Sequence, residues 1–401
     1  MLKIGIYGGT FSPPHLGHSN AARCVLAHLS LDKLLFVPTA LPPHKDLPSG
    51  SPTPEQRAAM TRIAADQVGC PDRVEVCELE LHRPGPSYTA DTLRALRETY
   101  PDAALYLLMG SDMFLTLQDW HTPEAIMAQA EICAFARTQA DRDKLEEQAD
   151  YLRNRFQAKI TLLTLDPCVE VSSTQVRNSL ASGGGRDGLS PAVYGYILLH
   201  GLYGTHADLK HLDVETLRCC SYSMVLSKRI PHIRGTEEEA VRLARHWGED
   251  EVDARRAGIL HDCTKYLTLE EQLDLCRTYH VALDDLEQQA VKLLHAKTGA
   301  CIAKYVFGEN DAVYQAIFWH TTGKAGMTRL EKILYLADYI EPNRDFPGVD
   351  ALRALAYQDL DAAMLQGLEM SVRDLTQRGV PIHRHTMEGR NWFLQQKGTR
   401  Q

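Results

Sequence analysis

No apolar run in this chain is long enough to cross a bilayer, because a membrane-spanning helix needs about 20 consecutive apolar residues. The N-terminus also lacks the basic region, apolar run and small-residue cleavage site of a secretory signal peptide. The ten cysteines include no CxxC pair and are scattered singly apart from Cys219-Cys220. This usage is typical of reduced thiols in a cytosol. Together these absences predict a cytoplasmic protein without a membrane segment.

Positive charge is not in excess either. Lys and Arg number 43 against 52 Asp and Glu, which gives a formal net charge of −9. Such a chain has no broad basic field for a nucleic acid polymer, although local basic groups can still hold small anions. With 401 residues, of which 44% are hydrophobic and 24% charged, the chain is expected to be globular and to fold as two domains.

The first half alternates strand-like and helix-like segments. Six mostly apolar runs are predicted as strands: KIGIY, KLLFVP, RVEVCELEL, ALYLLMG, EICAFAR and KITLLTL. Segments with helical periodicity lie between them, such as YTADTLRALRETY and RDKLEEQADYLRNRFQ. This alternation predicts a Rossmann-like α/β domain, in which a parallel sheet has helices on both faces.

The second half has a different character. From Leu212 onward helical patterns predominate, for example EEEAVRLARHWG and RLEKILYLADYIE, and these predict an all-α domain. The polar stretch 204–212 has no strong pattern. The boundary is therefore placed there, which gives domains 1–204 and 205–401.

The stretch KIGIYGGTFSPPHLGHSNAARCVLAH places Gly8 and Gly9 after the first strand and sets His15 and His18 at the start of a helix. Glycines let the backbone approach a ligand closely, and a helix N-terminus presents free N–H groups, so the stretch outlines a phosphate site. It contains neither a Walker GK[ST] loop nor GxGxxG. Imidazoles at this place can stabilise charge that develops on phosphate oxygens. Two glycines by themselves would indicate only a tight turn.

The segment GGTFSPPHLGH resembles the GGTFDPxHxGH signature of the nucleotidyltransferase superfamily. Further segments, in the family's order, narrow the resemblance to bacterial nicotinate-nucleotide adenylyltransferases: VPTALPPHK, ELELHRPGPSYTADTL, GSDMFLTLQDWH, VSSTQVR and LSPAVYGYILLHGLY. The resemblance covers about residues 1–204. It implies transfer of AMP from ATP, with Mg²⁺, to nicotinate mononucleotide, which gives nicotinate adenine dinucleotide and pyrophosphate in NAD biosynthesis.

The same resemblance implies the site residues of the first domain. The expected catalytic residues are His15 and His18. The residues expected to bind ATP are Gly8, Gly9, Thr10, Asp112, Ser173, Thr174 and Arg177. The residues expected to bind the ring, carboxylate and phosphate of the mononucleotide are His44, Lys45, Tyr88, Thr89, Trp120 and Arg137. Two positions depart from the family pattern, since Ser12 replaces an Asp and His121 replaces what is often a second aromatic residue. Ser12 keeps a hydroxyl that can tie the turn, so the loop is expected to persist.

Histidines and aspartates distinguish the second half. Six of them could bind metal: His232, His261, Asp262, His295, His320 and Asp338. The segment AGILHDCTKYL is the most specific, because its adjacent His-Asp pair can offer a nitrogen and an oxygen to one metal cluster, and a carboxylate can bridge two ions. Asp262 is the candidate bridging ligand, and Lys265 and Arg344 are candidates for neutralising substrate phosphates. Mixed His and Asp ligation suits Fe, Mn, Co or Zn better than Mg.

This order of ligands resembles the HD phosphohydrolase superfamily, and its YqeK-like members in particular. The matching segments, over about residues 213–390, are RIPHIRGTEEEAVRLARHWG, LHDCTK, LLHAKTGA and AIFWHTTGKAGMTRLEKILYLADYIEPNR. The resemblance implies a di-iron centre, with catalytic Asp262 and Lys265, that hydrolyses diadenosine tetraphosphate symmetrically to two ADP. Two other interpretations stay open: another nucleotide substrate, or a nucleotide sensor that regulates the first domain. Assembly as a homo-oligomer also stays open.

Overall fold

The structure, a computed structural model, describes residues 1–43, 47–136 and 139–399. The chain divides into two compact units. The first is Met1–His206 and the second begins at Ala207, close to the predicted boundary. Within the described ranges, no helix combines the length and apolar character needed to cross a membrane.

The first unit contains a six-stranded parallel sheet, which confirms the predicted α/β fold. The strands are β1 Lys3–Gly9, β2 Lys33–Pro38, β3 Val74–Val76, β4 Ala104–Gly110, β5 Glu131–Ala136 and β6 Ile160–Thr164. They lie in the order β3-β2-β1-β4-β5-β6, so the direction of winding reverses between β1 and β4. Ligands of open parallel sheets bind outside the carboxyl ends of the strands at such a switch point.

One predicted strand is too long. RVEVCELEL was expected to be a strand throughout, but only Val74–Val76 forms β3. This strand lies at the edge of the sheet and pairs with β2 alone. The chain then leaves the sheet and turns, which places Glu80 in a buried position beside Thr92. The alternation of apolar and polar residues continues beyond Val76, but the pairing with β2 ends there, so the strand ends too.

Helices cover both faces of this sheet. They are α1 Leu16–His28, α2 Pro54–Asp66, α3 Thr89–Thr99, α4 Ser111–Phe114, α5 Pro123–Gln129, α6 Gln139–Phe156, α7 Ser173–Ala181 and α8 Pro191–Leu199. Side chains alternate between the faces of a strand. Ile4 and Ile6 therefore join one core with Leu93 of α3, whereas Phe36 joins a second core with Val25 of α1.

The second unit is helical, as predicted, and its described residues contain no strand. Its helices are α9 Val214–Ser223, α10 Ile230–Trp247, α11 Glu251–Leu260, α12 Leu269–Thr278, α13 Val291–Cys301, α14 Asp311–Trp319, α15 Arg329–Ile340, α16 Val349–Ala356, α17 Leu360–Gln377 and α18 Arg384–Thr399. Local signals set their ends. Gly248 ends α10 at a φ of 66°, and the Asp250 carboxylate accepts from the first N–H groups of α11.

Candidate functional site

A cavity of about 530 Å³ lies where β1 and β4 end in the first unit. Every site residue predicted for this unit that the structure describes contributes to its wall: Gly8, Gly9, Thr10, His15, His18, Tyr88, Thr89, Asp112, Trp120, Ser173, Thr174 and Arg177. The predicted residues His44, Lys45 and Arg137 lie outside the described residues. Segments far apart in the chain therefore meet at the switch point of the sheet.

The loop of residues 10–15, between β1 and α1, is held through its backbone carbonyls. Arg57 of α2 is fully buried and donates to Thr10 O at 2.9 Å, Thr39 O at 2.6 Å and Ala40 O at 2.9 Å. Burial lowers the pKa of the Arg57 guanidinium, although it remains a cation at neutral pH. Sequence reasoning missed this residue. The available signal was an arginine on the buried face of α2, next to Ala58.

The paired histidines lie at the beginning of α1. His15 is the N-cap residue, and its backbone N–H donates to His18 Nδ1 at 3.1 Å. The two rings lie 3.7 Å apart between centroids. Since Nδ1 of His18 is an acceptor, a neutral His18 carries its proton on Nε2. His18 is thereby prepared to donate a hydrogen bond to an anionic oxygen.

The first turn of α7 is tied to the same loop. Ser173 Oγ donates to Pro13 O at 3.1 Å, and Arg177 Nη1 donates to Ser12 O at 2.7 Å. Arg177 also donates to Thr174 Oγ1 at 3.0 Å through Nη2. A guanidinium and the N-terminus of a helix thus lie beside loop 10–15, an arrangement that suits a polyphosphate.

Aromatic rings form another part of the cavity wall. The rings of Tyr88 and His121 lie 4.3 Å apart, tilted by 33°. His121 therefore supplies a planar ring at the position where the family pattern often has an aromatic residue. Trp120 Nε1 donates to Thr116 Oγ1 at 3.4 Å. A flat heterocyclic ligand could stack on such side chains.

Glu80 is a further cavity residue that sequence reasoning missed. Only 5% of it is exposed, and its Oε1 accepts from Thr92 Oγ1 at 2.7 Å. Burial raises the pKa of the Glu80 carboxyl. The predicted strand through this position suggested an ordinary sheet residue, so no local signal marked it.

In the second unit, all six predicted metal-binding residues come together. His232 lies on α10 and Asp338 on α15, and the other four residues lie at or after α11, on α13 and after α14. Two groups of potential ligand atoms form: His232, His261 and Asp262, and then Asp262, His295 and His320. Asp338 adds Oδ1 to the first group at 3.0 Å from His232 Nε2.

Asp262 belongs to both groups because its two oxygens point to different histidines. Its Oδ2 is 3.5 Å from His261 Nε2 and 3.8 Å from His232 Nε2. Its Oδ1 is 3.1 Å from His295 Nε2 and 3.8 Å from His320 Nε2. This is the position that a carboxylate bridging two ions would occupy.

The chemistry of these donors fits divalent metal ions. Nδ1 of His261 and of His320 lies 2.8 Å and 2.7 Å from a backbone carbonyl, so Nδ1 carries the proton and Nε2 has a free lone pair. Within the described part of the chain, buried His320 Nε2 has no hydrogen-bond partner. His261 Nε2 lies 3.2 Å from His232 Nε2, so the two lone pairs would repel unless a proton or a metal ion lies between them. Divalent ions would satisfy these atoms.

Burial keeps two histidines of this cluster neutral. It lowers the pKa of His261 to about 3 and that of His295 to about 4, so both rings are neutral near pH 7. Burial opposes ionisation of Asp262 as well, but the neighbouring His261, His295 and Lys265 hold its pKa well below the usual range. Neutral imidazoles and ionised carboxylates are the forms that bind metal.

Three basic side chains hold the carboxylates of the cluster. Lys265 Nζ donates to Asp262 Oδ1 at 3.1 Å, and Arg344 Nη2 donates to Asp338 Oδ1 at 2.7 Å. Sequence reasoning named both of these basic residues but missed Arg229, whose Nε donates to Asp262 Oδ2 at 2.5 Å. The missed signal was its place one helical turn before His232.

A carboxylate outside the ligand set orients His232. Glu341 Oε1 lies 3.1 Å from His232 Nδ1, and Glu341 Oε2 accepts from the backbone N–H of Asn343 at 2.7 Å. A Cβ atom on Gly235 of α10 would lie 2.2 Å from Glu341 Oε2. Gly235 therefore leaves the space that this carboxylate occupies. No sequence motif indicated a role for either residue.

Another cluster that could hold a metal contains Asp284, Glu287 and His383. His383 Nε2 lies 3.1 Å from Asp284 Oδ2 and 3.2 Å from Glu287 Oε1. Lys297 Nζ is 2.6 Å from Glu287 Oε1. His383 Nδ1 accepts the His385 N–H at 3.3 Å, so Nε2 is the protonated nitrogen. The carboxylates accept hydrogen bonds from these side chains, and the cluster fastens the start of α18.

Comparisons with known proteins match the two halves of the chain to different families. Residues 6–179 match the Cytidylyltransferase-like family, and residues 229–343 match the HD domain family. A probable nicotinate-nucleotide adenylyltransferase of Lachnoclostridium phytofermentans is 36% identical over 204 residues, which are 51% of this chain and 100% of that protein. One from Pseudomonas syringae pv. tomato is 40% identical over 217 residues, covering 50% of this chain and 93% of that protein.

A solved structure is also similar to part of this chain. It is a crystal structure of a predicted HD superfamily hydrolase involved in NAD metabolism from Clostridium acetobutylicum, and it is 37% identical to this chain. The match covers 46% of this chain and 98% of that one, with a TM-score of 0.45. Through its first half the chain belongs to the nicotinate-nucleotide adenylyltransferase family, and its second half is an HD domain.

Proposed function

We propose that the first unit transfers an adenylyl group from ATP to nicotinate mononucleotide. The observation that carries the proposal is the composition of a single cavity. Its wall combines groups suited to phosphates, His18 and Arg177, with rings suited to a heterocycle, Tyr88 and Trp120. The names of the relatives support the same reaction.

In this reaction a phosphate oxygen of the mononucleotide attacks the α-phosphorus of ATP, and the bond from that phosphorus to the pyrophosphate oxygen breaks. No covalent protein intermediate is required, so the residues act by positioning and by neutralising charge. His18 donates from Nε2, and Arg177 adds a fixed positive charge. Mg²⁺ on the ATP phosphates would add further charge, and Asp112 is an exposed carboxylate in the wall that could help hold it.

The test compares nicotinate mononucleotide with its amide counterpart. We expect the acid to have a kcat/KM at least about tenfold higher, since its carboxylate can be attracted by basic side chains where the amide cannot. His44, Lys45 and Arg137 are the basic residues proposed for this contact. Dinucleotide formation by the full chain would be measured with each substrate. Equal values, or a preference for the amide, would contradict the proposed substrate.

For the HD domain we propose metal-dependent hydrolysis of diadenosine tetraphosphate to two ADP. The carrying observation is the position of Asp262 between two groups of imidazole ligands. Divalent ions held there would polarise a phosphoryl group and lower the pKa of water. Iron is the metal proposed first, and Mn, Co and Zn are the alternatives that suit the same mixed ligands. Arg229, Lys265 and Arg344 surround the same carboxylates and would meet the negative charge of a polyphosphate.

Asp262→Ala tests this second activity. We expect ADP release to fall to background and bound metal to drop from about two ions to one or none, because the shared carboxylate is lost. Dinucleotide synthesis by the first unit should not change. Metal would be counted by mass spectrometry on the preparation used for the assays. Asp274→Ala, which removes an exposed carboxylate paired with Arg277 on α12, is the matched control.

The outcome also separates the alternatives for this domain. Full hydrolysis by Asp262→Ala with unchanged metal content would show that the active site for this hydrolysis lies elsewhere. Turnover of other nucleotides in a panel, but not of diadenosine tetraphosphate, would favour a different substrate. Nucleotide binding without turnover by the metal-loaded protein would favour a sensor.

A further inference from the structure

We infer that Tyr203 is a positioning residue for the phosphates of ATP and that it acts through Ser12. The inference rests on the proposed adenylyltransferase function. Tyr203 lies in the short 3-10 turn Leu202–Gly204 after α8, far along the chain from loop 10–15. It is the last residue of the segment LSPAVYGYILLHGLY, and the resemblance through that segment assigned Tyr203 no part in the reaction.

The contact joins two hydroxyl groups. Tyr203 OH lies 3.1 Å from Ser12 Oγ, and Ser12 is only 3% exposed. Burial raises the pKa of the Tyr203 phenol, so it stays protonated and can donate at neutral pH. Ser12 is the position where the family signature has Asp. A carboxylate there could be held by charge, whereas the neutral Ser12 side chain depends on a hydroxyl partner.

Loop 10–15 needs such restraints because its backbone is strained. Phe11, the residue before Ser12, has a φ of 46°, which is unfavourable for a residue with a Cβ, and its ring is almost fully buried. Arg57 and Arg177 hold the carbonyls of Thr10 and Ser12. The Tyr203 hydroxyl adds a restraint on the Ser12 side chain, between those two carbonyl contacts.

The backbone of Tyr203 supports a specific role for its side chain. Its φ of 56° and ψ of 31° lie in the left-handed region, as do Gly201 and Gly204 on either side. Glycine would adopt this conformation without strain. A tyrosine at the position is therefore disfavoured locally, and its contact with Ser12 gives a physical reason for its presence.

Loss of the hydroxyl should lower the fraction of molecules whose loop is ready to receive ATP. The apparent affinity for ATP then falls in proportion to that fraction, because binding must first select the competent loop. Once ATP is bound, its phosphates hold the loop, so turnover at saturation should change little. An effect on KM without an effect on kcat is the signature of such a positioning role.

The experiment uses the full chain with Tyr203→Phe, Ser12→Ala and the double variant. We expect KM for ATP to rise about tenfold in each, with a nearly unchanged kcat, since one buried hydrogen bond of typical strength is lost. The double variant should be no worse than either single variant because both remove the same bond. The dissociation constant of ATP alone, from calorimetry, should rise in parallel.

Tyr196→Phe is the matched control, because it also removes a tyrosine hydroxyl. The ring of Tyr196, on α8, contacts His200 and not loop 10–15. This variant should leave KM for ATP unchanged. Unchanged KM in Tyr203→Phe, or a lower kcat with unchanged KM and a lower melting temperature, would overturn the inference. Additive effects in the double variant would overturn it as well. If the unmodified chain binds ATP but forms no dinucleotide, the proposed function fails while the calorimetry still tests Tyr203.

Discussion

The hydrogen-bond partner of Nδ1 differs between the histidines of the two units. In His18, Nδ1 accepts a backbone N–H, which leaves the proton on Nε2. In His261 and His320, Nδ1 faces a backbone carbonyl, which leaves the lone pair on Nε2. The same side chain is thus a donor suited to phosphate in one unit and an electron-pair donor suited to metal in the other.

His18→Ala tests the donor role in the first unit. We expect kcat to fall about 10²-fold, because a donor aimed at developing negative charge contributes mainly in the transition state. The dissociation constant of ATP should change much less. Single-turnover formation of the dinucleotide and calorimetry with ATP would give the two quantities.

His28→Ala is the control for this substitution. His28 lies in the last turn of the same helix and contacts Cys24 O with its Nδ1. It should leave kcat unchanged. A His18→Ala protein with near-normal kcat would show that the assigned role is wrong.

Three site residues that could not be identified from the sequence share one property. Arg57, Arg229 and Glu341 act on atoms that belong to distant segments: backbone carbonyls for Arg57, Asp262 for Arg229 and His232 for Glu341. Their positions in the sequence do not indicate which distant atoms their side chains contact. Only the folded chain shows their partners.

At the scale of elements, α10 and the end of α15 approach each other closely beside the metal ligands. Glu341 follows α15 and reaches His232 on α10, and Gly235 makes this approach possible because it has no Cβ. Carboxylates that bond the second nitrogen of a ligand histidine fix its ring orientation and increase its basicity. The packing of two helices therefore contributes to the proposed metal site.

Gly235→Ala should weaken that site without unfolding the domain. The new Cβ would lie 2.2 Å from Glu341 Oε2, so the carboxylate must move away from His232. We expect metal affinity to fall about 10- to 100-fold, the usual effect of losing such a partner. Titration of the metal-free protein with Fe²⁺ or Mn²⁺ would measure it.

Gly367→Ala on α17 is the matched control. Its added Cβ would lie 3.5 Å from Tyr335 Cε1, which is ordinary contact, and alanine favours the helix. Metal affinity should then be unchanged. If Gly235→Ala binds metal as tightly as the unmodified protein, Glu341 does not orient His232 in the way described.

At the scale of the whole molecule, the two sets of site residues fall in different units. The described residues of the cavity all precede Ala207, and the six clustered His and Asp residues all follow it. Each unit also has its own buried core, with Ile4 and Phe36 in the first and Ile259 and Leu336 in the second. The two proposed activities should therefore be separable.

Fragments 1–206 and 207–401 test this separation. We expect the first to form dinucleotide and the second to bind metal and hydrolyse diadenosine tetraphosphate, each at a rate close to that of the full chain. Circular dichroism would establish that each fragment is folded. A folded but inactive fragment would indicate that its site needs residues from the other half.

The sequence by itself determined the order of strands and helices, the change to an all-helical second half, and the residues of GGTFSPPHLGH and the His-Asp pattern. These features are local, because periodicity and short motifs depend on neighbouring residues. The sequence pattern predicted a longer β3 than the structure has, because the loss of a pairing partner at the sheet edge leaves no trace in the local sequence. Only the tertiary structure decided that Asp262 divides its oxygens between two groups of histidines and that Arg57 and Tyr203 restrain loop 10–15. Those relations are distances between remote segments, and packing alone sets them.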